Sequence, residues 1–134
     1  CYAGQLNQVF MNILSNAIDA IASRFANDGL ERELGIKDGE NNQSLGLKPT
    51  IWIRTEVVGK ERVKIAIADN GIGMTEEVCQ KIFDPFFTTK PIGAGTGLGL
   101  SISYQIVVEK HRGNLTCISA PRQGTEFMIE IPIV

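Results

Sequence analysis

The feature that most narrows the fold is a change of pattern at Asp69. Up to that residue the chain reads RVKIAIAD, apolar at every second position, the period of a strand with one buried face. It then turns through Asn70 and Gly71, and glycine recurs at Gly73. Further on, a second cluster, Gly93, Gly95, Gly97 and Gly99, leads straight into an apolar helical pattern. A carboxylate at a strand end and a glycine run at a helix start raise the question of what the chain is shaped around.

The remaining patterns fall in a simple order. Leu6, Val9, Phe10, Ile13, Leu14, Ala17, Ile18 and Ile21 recur at the spacing of one helix face. Gln5, Gln8, Asn12, Asn16, Asp19 and Ser23 occupy the other face, which is rich in amides and poor in charge. Residues 24–50 have no period and read as a long loop, with room for a short helix at Leu30–Leu34. TIWIRTEVV and RVKIAIAD then form a hairpin about Gly59-Lys60-Glu61, with Ile51 and Ile53 on one face. TEEVCQKIF predicts a short helix with Thr75 as N-cap and Glu76 and Glu77 in its first turn. DPFFTTKPIGAGTG is irregular, and a longer helix runs from Leu98 to about Lys110, with Gly113 at its end. NLTCIS and TEFMIEIPI close the chain as two strands. Helices and strands do not alternate regularly, so the expected class is α+β, a two-layer sandwich of one sheet and its helices.

Composition excludes several alternatives. The chain has 134 residues, enough for one domain with a real core, 43% hydrophobic and 21% charged. A net charge of −2 gives no electrostatic case for nucleic acid as a partner. No apolar run approaches the roughly 20 residues that span a bilayer. Cys1, Cys79 and Cys117 are odd in number and lack metal spacing, which reads as a reduced, cytoplasmic protein. The start at Cys1 reads as a fragment of a longer protein.

Each candidate for chemistry has a plainer reading beside it. Asn12 and Asn16 lie one helical turn apart, so their amides can offer oxygen to a hard cation and N–H to phosphate, or can simply be solvated. Asp69 can accept from an exocyclic amine such as that of adenine, with Gly71 and Gly73 letting a flat ring approach, or can belong to an ordinary turn. Gly95 to Leu100 opens a helix whose N–H groups suit phosphate, or is a flexible linker, which its abutting an apolar helix disfavours; it is neither a Walker loop nor a dinucleotide fingerprint. Phe83, Phe86 and Phe87 can be core or can anchor a loop that closes with Lys90 over a terminal phosphate. His111 reads as a surface residue at a helix end.

In order, NQVFMNILSNAIDAI, DNGIGM, FDPFFTTK and GTGLGLSI resemble the four boxes of the catalytic ATP-binding domain of bacterial sensor histidine kinases. That family is one branch of the superfamily that includes gyrase, MutL and the heat-shock chaperone ATPases. The resemblance runs from about Gln5 to Pro132. It implies a mixed sheet backed by about three helices, with an ATP lid over the nucleotide. It implies that Asn16 and Asn12 hold Mg2+ and phosphate oxygens and that Asp69 binds the adenine amine, with Gly71 and Gly73 beside the ring. Lys90, Gly95, Thr96, Gly97, Leu98, Gly99 and Leu100 would meet the phosphates, with Lys90 and Asn12 serving transfer, and Thr125 would lie near adenine.

The implied reaction moves the γ-phosphate of ATP to a histidine on a helical dimerisation domain of the same protein. A response regulator would act downstream, and the full-length protein would be a homodimer. Hydrolysing relatives place a glutamate, a base for water, where this chain has Asn12, so transfer is expected over hydrolysis. The chain departs from many kinases in having Asp19 where a basic residue aids phosphate binding. No histidine-bearing helical segment is present, so the domain alone should bind ATP without autophosphorylating. The stretch Thr88–Gly97 is expected to be mobile without nucleotide.

Overall fold

The computed structural model describes residues 2–33, 48–88 and 98–133. The elements are α1 (Ala3–Glu33), β1 (Ile51–Val58), β2 (Arg62–Asp69), α2 (Glu76–Lys81), α3 (Gly99–Tyr104), β3 (Asn114–Ala120) and β4 (Gly124–Pro132). A π-helical segment, Gln105–Lys110, continues α3. The sandwich expected from the sequence is present, with its strands within a residue or so of their predicted limits.

The sheet is four-stranded in the order β1-β2-β4-β3, and every pairing is antiparallel. The mixed sheet implied by the resemblance is therefore corrected among the described residues. The reason is topological. β3 and β2 run in the same direction, but β4 folds back from β3 and inserts between them, so no parallel neighbours arise.

One face of the sheet carries the core in registered rows. Ile67 and Phe127 pair side by side, as do Ile65 with Ile129 and Val63 with Ile131. Val9 and Ile13 of α1 and Val107 of the π segment are fully excluded from solvent against this face. Full burial of such a side chain contributes about 1.5–3 kcal/mol. Ile53 lies on the same face, opposite Ile67, yet is 60% exposed because edge strand β1 extends beyond the helical layer. The outer face is open, with Trp52 and Ile118 exposed upon it.

α1 is longer than the sequence suggested, because part of the expected 24–50 loop is helix as far as Glu33. Asn27, Asp28 and Gly29 are poor helix formers and hide the continuation. A tertiary contact offsets them: Arg24 Nη1 donates to the carbonyls of Asn70 (2.9 Å) and Gly71 (3.4 Å). The rest of that loop, residues 34–47, lies outside the described residues. Arg24→Ala is expected to lower stability by about 1.5–3 kcal/mol, the range for hydrogen bonds to a charged group, as read from a urea denaturation midpoint.

The C-terminal end of the α3 helix also differs in detail. His111 N–H donates to Ile106 O, a five-residue step, and Gly113 N–H reaches back to Val107 O. The left-handed residue there is Arg112 (φ 53°). Gly113 is needed for a different reason: a side chain would strike the Glu130 carbonyl on β4. His111 is buried, correcting the expectation of a surface position. Its Nδ1 donates to Ile106 O (2.9 Å), and its Nε2 accepts from Tyr2 N–H (3.0 Å).

Candidate functional site

The end of the core face where β2 stops is polar. Asp69 pairs with Thr125, and Thr125 with Ser119, so three adjacent strands place one polar side chain each on the helix-facing side, in a single row. The next row is Ile67, Phe127 and Cys117. A cavity of about 250 Å³ opens between this edge and α1. Asp69 and Thr125 line its polar end, and Ile72, Met74, Ile82, Leu100 and Phe127 form its apolar walls. Asn16, Asp19, Ala20 and Ser23 of α1 form the remaining side. The sequence-predicted Asn16, Asp69, Gly73, Leu100 and Thr125 thus meet at one space.

Asp69 is only 6% exposed. Its Oδ1 accepts from Gly71 N–H (2.8 Å), and the carboxylate also accepts from the Thr125 backbone. Burial pushes its pKa above the usual carboxylate value, against the partial opposition of those two bonds. The turn after it is fixed from several sides. Ile72 N–H donates to Ala20 O of α1 (3.0 Å), and Asn70 binds Thr50 N–H and Lys48 O through its side chain.

The glycines of this turn answer to protein contacts as well as to any ring. A Cβ on Gly71 would come within 2.6 Å of the Ala20 backbone. Gly73 has φ 72°, and a Cβ there would strike the Ala120 carbonyl while the residue lines the cavity.

Asn12 and Asn16 part company in the structure. Asn16 lines the cavity, whereas Asn12 turns its amide toward the start of α3. Asn12 Nδ2 donates to Gly99 O (3.0 Å) and to Ser103 Oγ (3.1 Å), and Ser103, fully buried, donates to the same Gly99 carbonyl (2.8 Å). A carbonyl only accepts, so the Asn12 NH2 is committed to α3.

Leu98 precedes α3, and its carbonyl caps the first turn by accepting from Ile102 N–H and Ser101 Oγ. Lys90, Gly93, Gly95, Thr96 and Gly97, and with them most of the expected lid, lie outside the described residues.

Before that gap, the Phe run divides. Phe83 packs on Tyr104 and Phe127, with ring centroids 5.4 Å and 6.3 Å away, so it anchors α2 to the core. Phe86 is 73% exposed at φ 64°. Thr75 caps α2 as expected, accepting from Val78 N–H. Cys79 and Cys117 are free thiols with sulfurs 3.7 Å apart. Burial, with Cys79 adjacent, holds Cys117 far above the usual thiol range. No group of three or more His, Cys, Asp or Glu side chains that could hold a metal occurs among the described residues.

Sequence reading missed Ser119, Gly124, Ser103 and Arg24. Only Ser119 left a trace, since it alternates into the face occupied by Cys117 and Leu115.

Comparison with known proteins bears directly on this geometry. Residues 2–134 match the family described as histidine kinase-, DNA gyrase B-, and HSP90-like ATPase. The chain belongs to that family. Sporulation kinase E of Bacillus subtilis is 36% identical over 133 residues, which is 99% of this chain and 14% of that protein. Signal transduction histidine-protein kinase AtoS of Escherichia coli is 36% identical over 128 residues, 96% of this chain and 17% of AtoS. The chain therefore spans about a seventh of the first of these relatives. Among solved structures, the catalytic domain of histidine kinase ThkA superposes with a TM-score of 0.69 at 32% identity, over 98% of this chain and 68% of that one. For this ATPase-family chain, no helix among the described residues is long and apolar enough to cross a membrane.

Proposed function

We propose that the chain is the ATP-binding catalytic domain of a sensor histidine kinase, one domain of a longer protein. It moves the γ-phosphate of ATP to a histidine on a separate helical domain of that protein. The carrying observation is the buried Asp69 carboxylate at the polar end of an otherwise largely apolar cavity whose other side holds Asn16. An acceptor-lined end and apolar walls suit the exocyclic amine and faces of adenine.

The two amides fit Mg2+. The side-chain oxygens of Asn16, at the cavity, and of Asn12 are hard and neutral, and Mg2+ characteristically takes one or two protein ligands plus phosphates and waters. Bound there, the ion would neutralise phosphate charge. Asn12, tied to Gly99 and Ser103, has no basic group with which to activate water, which favours transfer over hydrolysis. Lys90 and Gly95 to Leu100 are assigned to the phosphates by motif match. The site is assigned to the cytoplasm, in a homodimeric parent protein that passes phosphate to a response regulator.

The test is to supply the histidine-bearing helical domain with this chain and γ-labelled ATP. Acid-labile label on histidine is expected, with none on this chain alone. Absence of phosphohistidine even in the reconstituted full-length protein would overturn the reading. Asp19 on the cavity wall, in place of a basic residue, favours one alternative, a domain that binds nucleotide without transfer. Nucleotide binding with no transfer in the full-length protein would select it. Fast Mg2+-dependent hydrolysis by the isolated chain would instead point to a hydrolysing ATPase.

A further inference from the structure

Ser119 stands behind the polar end of the cavity and contacts three groups at once. It accepts from Met74 N–H (2.8 Å), approaches Gly124 O (2.9 Å) and meets Thr125 Oγ1 (2.8 Å). These contacts determine where the protons lie. A carbonyl oxygen can only accept and a backbone N–H can only donate. The single Ser119 proton is therefore on the Gly124 carbonyl, and Ser119 receives from Met74. The remaining contact forms only if the Thr125 hydroxyl donates to Ser119.

Thr125 lines the cavity with no proton left for a ligand. Beside it, Asp69 presents a carboxylate, also an acceptor. We propose that Ser119 is a specificity-determining residue: by taking the Thr125 proton it makes the polar end of the cavity accept only, selecting purines with an exocyclic amino group over those with an exocyclic oxo group. This rests on the reading of the cavity as a purine site. Ser119 acts through Thr125 and is a positioning residue.

The geometry explains why a hydroxyl is needed at this position. Alanine would free the Thr125 proton, which could then rotate into the cavity and meet an oxo oxygen. It would also remove the hydroxyl that Met74 N–H and Gly124 O each contact. A purely structural role would weaken binding of both kinds of base alike, so the ratio of affinities separates the two roles.

The experiment measures ADP and IDP affinity by calorimetry for the wild-type chain, Ser119→Ala, Ser119→Cys and Thr125→Val. Hypoxanthine carries an oxo group, with the adjacent ring nitrogen protonated, where adenine carries the amino group. Ser119→Ala is expected to narrow the ADP preference by about tenfold, mainly through tighter IDP binding, the scale of one hydrogen bond gained. Ser119→Cys keeps side-chain size and serves if the alanine variant fails to fold; its weak thiol is expected to narrow the preference in the same direction. In a Thr125→Val background, Ser119→Ala should move the ratio no further. A ratio unchanged in both Ser119 variants, or equal losses for both nucleotides, overturns the inference while ADP binding by the wild type stands. A wild-type chain that binds neither nucleotide overturns the purine reading and the inference with it.

Discussion

Asp69→Asn is expected to weaken ADP binding by about 100-fold while leaving stability equal or higher. The first effect follows from the position of the carboxylate at the polar end of the cavity, beside Thr125. Loss of a charged hydrogen-bond acceptor for a buried amine is an effect of this order. An asparagine that keeps its oxygen on Gly71 N–H also turns an NH2 toward a ligand that donates. The second effect follows from burial. Desolvation is the largest influence on Asp69 and exceeds the two backbone bonds that favour its charge, so the ionised group opposes folding.

The pH dependence has a definite sign. The folded-state pKa lies above the ordinary 3.8, so the folded chain holds this proton more tightly than the unfolded chain. The Asp69 contribution to stability therefore falls as pH rises from the unfolded value to the folded one and is constant above that. On the proposed adenine role of Asp69, nucleotide affinity is expected to run the other way, because the acceptor is lost as pH falls through the raised value. Calorimetric ADP titrations across acidic pH should show affinity declining before the ordinary carboxylate range is reached, and the decline should vanish in Asp69→Asn. The same decline in the asparagine variant would assign it to another group, and a lower urea midpoint for that variant would show the charge to be stabilising.

Much of this architecture is legible in the sequence because period and punctuation agree there. RVKIAIAD alternates and ends on a turn, and Thr75 precedes two glutamates, so β2 and α2 lie where expected. Leu6 to Ile21 repeat at helical spacing, and Val9, Ile13 and Ala17 are buried as that spacing requires, whereas Ile18, read onto the same face, is 58% exposed. The misses arise where tertiary contacts outweigh local preference. α1 passes through Asn27, Asp28 and Gly29, while Arg24 is tied to a turn distant in sequence. His111 sits at a helix end, where exposure is the usual outcome, but Tyr2 packs edge-on against its ring.

The site divides in the same way. Asp69 and Asn16 were visible because their residue types are unusual at a strand end and on a helix face. Ser119 and Ser103 were not, since a serine shows its role only through the atoms around it. Strand order was equally hidden: nothing in the two final strands reveals that β4, and not β3, lies beside β2. That placement alone brings Thr125 next to Asp69.

Gly124→Ala follows from the same placement and is expected to cost about 3 kcal/mol or more, enough to shift the urea midpoint far or to prevent folding. Gly124 has φ 82°, where a side chain is strained, and its Cβ would collide with the Asp69 carbonyl oxygen and reach within 3.0 Å of Asn70 Cα. Both obstacles are backbone, and neither can yield by changing rotamer. Relief would require β4 to move away from the end of β2, where Asp69 and Thr125 pair, so residual folded protein should also bind ADP weakly. Gly99→Ala is the informative contrast. It alters a glycine from the cluster that draws most attention in the sequence, yet its Cβ would make only ordinary contacts with Asn12, the nearest atom 3.6 Å away. A cost below about 1 kcal/mol is expected there. If Gly124→Ala proved as mild as Gly99→Ala in denaturation, the close approach of β4 to the end of β2 would be wrong, and with it the geometry that sets Asp69 beside Thr125.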